Sequence, residues 1–600
     1  MRTARGLLVI LAVAIACGRP VDERTLDPAA RRSTPSGEVA GFTGRHGSFV
    51  WMGLPYAKPP IGDRRWRAPE PPAPWTGVRH ALRPGSPCMQ YASPLGGIQT
   101  ARPNTPVGDE DCLYLNVYAP HAATPTSFLP VMVWIHGGGN TIGAGELYDG
   151  GALAATRDVV VVTLNYRLGP FGWFRNVALR EDADSDAERS GNFATLDLVR
   201  ALDWVQSHVA AFGGDPARVT IFGESAGGTN VLSLLLSPQA VGLFHRAIVQ
   251  SGGLRMSDPV AAEAFADDPT PETANSSNEV IARLFVADGT ARDRADAKTT
   301  LGAFPHGALA ERLRHQTASD VLRAYPPMPG IGMIRMPTVF RDDTVLPSGS
   351  YLDELRRDTG WNRVPVMLGT NRDENKLFLF SSPIWVRRWF GFLPRSIEPE
   401  LYDVVAEHLA RTWKATGADE LATAMTASGA RDVFVYRFDW DEEPTILGTD
   451  LHRMLGASHG FEIPFVFGHW DLGREAARLF TTANEPGRRA LSGAMMDYWT
   501  TFAKTGRPGN GGGTLDWPAW SERPEYLVLA TPERGGITRS SETITREAAL
   551  AAVERDPRLA DPRARCIVDH ELVAWAGLLP RATYDAACPT FPFDGYPWRN

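Results

Sequence analysis

The chain has 600 residues, 43% hydrophobic and 22% charged, with 58 Gly and 47 Pro. These proportions exclude a disordered chain, a collagen-like repeat and a multi-span membrane protein. A formal net charge of -8 gives no electrostatic case for binding nucleic acid.

Arg2 and Arg5 precede an unbroken apolar run from Leu7 to Ala16. Such a run is too short to span a bilayer, which needs about 20 residues, and suits the apolar region of a signal peptide over residues 1–16. Two processing outcomes fit its end. Ala14 and Ala16 satisfy the small-x-small rule of an ordinary secretory cleavage site. The same residues followed by Cys17 resemble a bacterial lipobox, with Ala14 in place of the usual Leu, and would attach the protein to a membrane through a lipidated Cys17. Residues 17–39 are polar, contain Pro and Ser, and read as a tether. The cysteines are Cys17, Cys88, Cys112, Cys566 and Cys588. An odd count in an exported protein leaves one without an intrachain partner. Cys88 with Cys112 and Cys566 with Cys588 are the sequence-local pairs, so Cys17 is the odd one. Both bridges need an oxidising compartment, and each would stabilise by roughly 3 kcal/mol through loop-closure entropy.

From residue 40 the chain alternates short β-branched runs with longer helical patterns. Val131–Ile135, Val159–Leu164, Arg218–Phe222, Ala247–Gln250, Val364–Leu368 and Val433–Phe438 read as strands. Most are apolar throughout, as in strands covered on both faces. Between the second and third, Leu196, Val199, Leu202, Val205, Val209 and Phe212 recur at helical spacing. Asn192 is placed to cap that helix and Gly213-Gly214 to stop it. The rhythm predicts an α/β fold, a large mostly parallel sheet flanked by helices, as a single domain over residues 40–600. Asp258 to about Ala310 reads as a weakly helical excursion from the sheet.

Two motifs carry chemistry. Gly223-Glu224-Ser225-Ala226-Gly227 follows a strand and precedes the apolar run Val231–Leu236. This is a G-x-S-x-G nucleophile elbow in its strand-turn-helix setting, which separates it from a glycine-rich turn with an ordinary capping serine. His136-Gly137-Gly138-Gly139 follows another strand. Backbone N–H groups there are positioned to hold an oxyanion, because glycine lets the chain approach a substrate closely.

From these motifs outward the chain resembles the cholinesterase and carboxylesterase type of α/β-hydrolase. The matching segments, in order, are Gly53–Pro60, Glu110–Asn116, Asn165–Gly169, Ala211–Pro216, the serine elbow, Tyr498-Trp499 and Phe502–Gly506. They span about residues 40 to 530. The resemblance implies an acyl-enzyme ester hydrolase with Ser225 as nucleophile. Gly369–Glu374 is similar to the family's acid segment, with Glu374 in the catalytic position and Asn375 replacing the usual Gly after it. Ser458–Phe465 is similar to its histidine segment, with His459 as base. Asp373, His452 and His469 are the nearby decoys. The oxyanion donors implied are the N–H groups of Gly138, Gly139 and Ala226. The base is expected to titrate near the ordinary histidine value of about 6.5.

The loop between Cys88 and Cys112 contains no Trp, and its aromatic residue is Tyr91. Cholinesterases hold the choline cation on a Trp in the equivalent loop by cation–π attraction, so the expected substrate is a neutral small-molecule carboxyl ester. Asn140 stands where many relatives have Phe, giving a more polar wall. No zinc signature is visible and no cofactor is expected. The same triad could also cleave amides, carbamates, lactones or thioesters. A non-catalytic adhesion protein on this scaffold would lack the serine, and Ser225, Glu374 and His459 are all present.

Overall fold

Eleven strands pair edge to edge in one sheet in the computed structural model, which describes residues 24–98, 101–268, 275–328, 331–390, 393–470 and 478–598. In chain order they are β1 (Phe42–Thr43), β2 (Ser48–Pro55), β3 (Tyr114–Pro120), β4 (Leu129–Ile135), β5 (Val160–Leu164) and β6 (Gly214–Glu224). The rest are β7 (Arg246–Gln250), β8 (Val366–Asn371), β9 (Val433–Phe438), β10 (Tyr526–Leu529) and β11 (Thr538–Ser540). Their spatial order is β11-β10-β9-β8-β7-β6-β4-β5-β3-β2-β1. Strands β4 to β10 run parallel. The antiparallel neighbours lie at the two edges: β1 to β3 on one side and β11 on the other.

The apolar runs are explained by burial on both faces. In β4, Val131, Val133 and Ile135 enter one core while Met132 and Trp134 enter the other. The same alternation splits Ile248 from Ala247 and Val249 in β7, and Met367 from Val366 and Leu368 in β8. The first core is closed by α1 (Phe193–His208) and α2 (Ala226–Leu236), which contribute Leu202, Val205, Val231 and Leu235. Later in the chain come α3 (Pro399–Lys414) and α4 (Glu485–Thr505). Helix α4 closes the second core with Met495, Tyr498, Trp499 and Phe502. Each such side chain, fully buried, stabilises the fold by about 1.5–3 kcal/mol.

Asn192 occupies the N-cap position of α1, but its side chain bonds elsewhere: its Nδ2 donates to the Phe340 carbonyl and its Oδ1 accepts from the Phe340 N–H. Gly213 ends the segment after α1 at φ +91°. Both expected disulfides, Cys88–Cys112 and Cys566–Cys588, are formed. Among the described residues no helix is long and apolar enough to cross a membrane.

Two expectations change. The tether expected to reach Val39 ends earlier, because Arg31–Thr34 pairs with Gly37–Ala40, which in turn pairs with Val78–His80. Ala30 and Val39 are fully buried, and Asp27 N–H already donates to the Gly41 carbonyl. The polar look of this stretch hides alternating inward positions, and Arg32 lies over the rings of Phe49 and Trp51. The leader and Cys17 lie outside the described residues. The excursion after Asp258 is more helical than its composition suggests. Ser277–Ala287, Arg294–Ala303 and Ala318–Arg323 are helices whose first turns are capped by the Ser276, Asp293 and Thr317 side chains. With His306–His315 they share a core that includes Trp66, Phe171 and Phe174.

Candidate active site

The chemistry-bearing residues sit at the carboxyl ends of four parallel strands, where an open α/β sheet places its site. The triple glycine follows β4, Ser225 follows β6, Glu374 follows β8, and His459 follows β9 in the chain.

Ser225 is both the last residue before α2 and the sharpest point of the turn, at φ 59° and ψ −123°. That conformation is sparsely populated for a residue with a Cβ and costs about 1–3 kcal/mol. The surroundings hold it: Ser225 N–H donates to the Gln250 carbonyl, and its own carbonyl accepts from Thr229 N–H, each at 2.9 Å. The elbow must pack hard against β4. A Cβ on Gly227 would lie 1.9 Å from the Ile135 carbonyl oxygen, so no other residue fits. Gly138 is equally constrained, at φ +101° with its missing Cβ 2.1 Å from the Ile142 oxygen. Among the described residues, the N–H groups of Gly138, Gly139 and Ala226 donate to no other group.

Glu374 is fully buried. Its Oε2 accepts from His459 Nδ1 at 2.6 Å, and its Oε1 accepts from Asn371 N–H at 2.8 Å. The histidine is thereby oriented by one carboxylate, which is itself fixed by the end of β8. His459 is packed by the Trp413 and Phe378 rings, centred 4.7 and 5.1 Å away. Its Nε2 is buried and makes no hydrogen bond, although Glu224 Oε1 lies 3.1 Å from it. Among the described residues the Ser225 hydroxyl makes none either.

The decoys separate cleanly. Asp373 is held by Arg372 and Lys376 and accepts from Ala457 N–H. His452 faces the Asp441 carbonyl, and His469 packs edge-on to His46. Residues 458–462 also bring in a group the motifs do not reveal. Glu462 is fully buried, accepting from Asn371 Nδ2 at 2.6 Å and from Gln250 Nε2 at 3.2 Å. Its position after His459 in the sequence is a signal only once Gln250 and Asn371 are known to meet there.

Three glutamates thus surround one imidazole. Burial alone would lower the His459 pKa, but Glu224 and Glu374 outweigh it and raise the ring to about 9. Burial pushes Glu224 up to about 8, opposed by His459 and reinforced by Glu462 and Glu374. Burial likewise raises Glu462. The expectation of an ordinary histidine is therefore corrected, because the neighbouring carboxylates favour the imidazolium. In contrast His136, stacked on Tyr166 and fully desolvated, falls to about 4 and stays neutral.

Ser225, Ala226 and Gly139 open onto a cavity of about 590 Å³. Asn140 and Asn375 line it too, so both departures noted in the sequence lie in its wall. The Asn140 Oδ1 is tied to Asn230 Nδ2 at 2.9 Å. The far wall comes from Tyr351, from Leu409, Thr412 and Trp413 on α3, from Thr416 in the turn that follows it, and from Gly577 and Leu578. Arg255, Arg341 and Arg546 line the cavity, and no carboxylate does. Tyr91 does not reach it: it is buried, and its hydroxyl donates to the Leu322 and Tyr325 carbonyls.

Comparison with known proteins agrees with this geometry. The family model described as "Carboxylesterase family" matches residues 28–385 and 394–549. The para-nitrobenzyl esterase of Bacillus subtilis is 35% identical over 519 residues, covering 83% of this chain and 94% of that protein. The human cocaine esterase is 33% identical over 538 residues, covering 83% and 87%. A solved PNB esterase superposes with a TM-score of 0.64 at 32% identity, covering 85% of this chain and 97% of its own. A carboxylesterase of Geobacillus stearothermophilus gives 0.62 at 31% identity, with the same coverage. With its elbow, glycine loop and buried histidine–glutamate pair on an α/β-hydrolase sheet, the chain belongs to the carboxylesterase family and is a serine hydrolase of carboxylic esters.

Proposed function

We propose that Ser225, His459 and Glu374 form the catalytic triad and that the substrate is a neutral small-molecule carboxyl ester. The Ser225 hydroxyl turns toward His459 Nε2, gives up its proton and attacks the ester carbonyl. Glu374 holds the imidazole and stabilises its cation. The N–H groups of Gly138, Gly139 and Ala226 receive the developing oxyanion, a contribution of about 3–4 kcal/mol per well-aimed donor. The alcohol leaves with the proton from His459, and water then releases the acyl group from Ser225. The observation that carries this reading is the buried His459–Glu374 pair, whose remaining ring nitrogen is unbonded behind the cavity floor on which Ser225 stands.

The test is a hydrolysis screen across p-nitrophenyl ester chain lengths with Ser225→Ala as blank. The substitution lowers kcat by roughly 10⁴ to 10⁶ without changing the folded-state spectrum. A blank retaining a tenth of wild-type activity removes Ser225 from the mechanism.

The leader supports export and lipid attachment at Cys17 as part of the same proposal. In a bacterium with lipoprotein processing the protein incorporates labelled palmitate, and Cys17→Ser abolishes the label while hydrolysis persists. Unlabelled protein free in the periplasm points instead to ordinary secretion.

A further inference from the structure

Residues 386–393 fall in the gap between the two segments that match the carboxylesterase family. Val386–Trp389, within that gap, pairs with Leu393–Ser396, mostly beyond it, as a two-stranded antiparallel pair. Its base is anchored: Trp385 and Val386 are buried in a core shared with Val405 and Leu409 of α3. Trp389 and Phe390, at the end of its first strand, lie outside the core. Trp389 is 55% exposed and Phe390 84%. A second small hairpin, Thr445–Ile446 with Thr449–Asp450, sits against the first. Arg395 donates to the Leu447 carbonyl at 3.0 Å, and Thr449 Oγ1 to the Pro394 carbonyl at 3.1 Å. This places Leu447, 71% exposed, against the second strand of the first hairpin.

The tip is also basic. Arg387 and Arg388 are exposed, and among the described residues neither has a carboxylate partner. Arg388 instead lies over the Phe380 ring, 5.1 Å from its centre. Two guanidiniums without a carboxylate partner among the described residues therefore stand behind an exposed Trp, Phe and Leu. Solvent alone gives no reason for the apolar tip.

We infer that this double hairpin docks the enzyme on an anionic lipid surface. Trp389, Phe390 and Leu447 enter the interfacial layer, and Arg387 and Arg388 meet phosphate headgroups. Aromatic rings favour that depth because one molecule presents an apolar body to the acyl region and a polar edge to the headgroups. Arginine stems extend along the same boundary with their charge outward. A second copy of the chain fits less well. In a two-fold interface the same patch meets itself, so both pairs of unpaired arginines would converge without an acid between them. The hairpin follows helix Lys376–Ser381, which carries the cavity residue Phe378. Docking therefore brings the cavity wall close to a surface in which apolar esters concentrate. The inference stands on the hairpin alone and does not depend on the triad assignment.

The experiment is co-sedimentation of the full chain, carrying Cys17→Ser so that no lipid is attached, with phosphatidylglycerol-containing and pure phosphatidylcholine vesicles. Trp389→Ser/Phe390→Ser and Arg387→Gln/Arg388→Gln are compared in the same background, with p-nitrophenyl acetate hydrolysis showing that each variant is folded. All three proteins hydrolyse the soluble ester equally. The parent binds the anionic vesicles preferentially. The aromatic pair variant weakens binding to both vesicle types. The arginine pair variant weakens anionic binding at least tenfold and removes the preference. Equal sedimentation of parent and both variants overturns the inference. So does a concentration-dependent dimer that the aromatic variant abolishes in a parent that ignores vesicles.

Discussion

The cavity has two walls of different origin. The near wall is made by short contiguous motifs, the triple glycine after β4 and the elbow after β6. The far wall is gathered from α3, Tyr351, Arg546 and the segment around Leu578, which lie far apart in the chain. The near wall is backbone held in place by steric necessity, as at Gly227 and Gly138. The far wall consists of side chains that can change without unfolding the turn. Under the proposed mechanism reaction type resides in the first and ester choice in the second, and substitutions in each should separate cleanly.

The largest effect is expected at the base. His459→Ala lowers kcat by about 10⁴ or more, close to the loss at Ser225, because triad members act as a unit. His452→Ala and His469→Ala change kcat less than threefold, since neither ring reaches Ser225 or Glu374. Comparable losses at His452 and His459 would dissolve the distinction on which the site assignment rests.

This contrast also explains what the sequence reveals. The elbow and the glycine loop are legible because sterics compress their requirements into a few neighbouring residues. Strands such as β4 are legible because both faces are buried, and only β-branched or aromatic runs satisfy that. Glu374 and His459 lie far apart and needed the resemblance, because a lone His or Glu has no local signature. The glutamate cluster is not legible at all. Glu224, Glu374 and Glu462 meet only when β6, β8 and the loop after β9 come together. The Pro28–Ala40 segment misleads for a related reason: its inward positions include the polar Arg32 and Ser36 beside Ala30 and Val39, so they do not read as an apolar period.

The pH profile tests that cluster. In the proposed mechanism neutral imidazole is the base, so kcat/KM is expected to rise with pH as His459 loses its proton. With the ring raised to about 9 by Glu224 and Glu374 against the opposing effect of burial, the acidic limb lies above pH 6.5. Glu224→Gln keeps the shape and removes one carboxylate, so the limb moves to lower pH. An unmoved limb would show that Glu224 is already neutral and leaves the shift to Glu374. The folded protein favours imidazolium, so this group adds stability that is fully present below about pH 6.5 and is lost as pH rises through the folded value.

A smaller effect probes the far wall. Leu578 is half-buried, lines the cavity and lies beyond the residues matched by the family. Leu578→Ala removes apolar contact worth about 1 kcal/mol, or roughly fivefold in kcat/KM, for an acyl or alcohol chain that reaches it. Hydrolysis of p-nitrophenyl acetate stays within a factor of two while octanoate falls. Equal losses on both esters would mean that the far wall supports the chemistry itself.

The smallest effect is the most specific. Butyrylcholine and its neutral carbon isostere, 3,3-dimethylbutyl butyrate, differ in charge at nearly constant shape. A cation held over an aromatic face in a desolvated site gains up to about 2 kcal/mol, or roughly thirtyfold. Tyr91 cannot supply that face, because it is buried against Leu322 and Tyr325. Trp413 could, since it lines the cavity. Opposing it are Arg255, Arg341 and Arg546, with no acidic side chain in the same lining. Arg341 is paired with Asp258 and Arg546 with Glu420, so their fields are partly neutralised. Arg255 has no carboxylate partner among the described residues, and its charge repels a trimethylammonium group. The ratio of kcat/KM for the two esters is therefore expected near one or in favour of the isostere, and to move toward the cation in Arg255→Gln. A preference for butyrylcholine above about tenfold, near 1.4 kcal/mol, would place a cation site on Trp413 that the arginines fail to suppress.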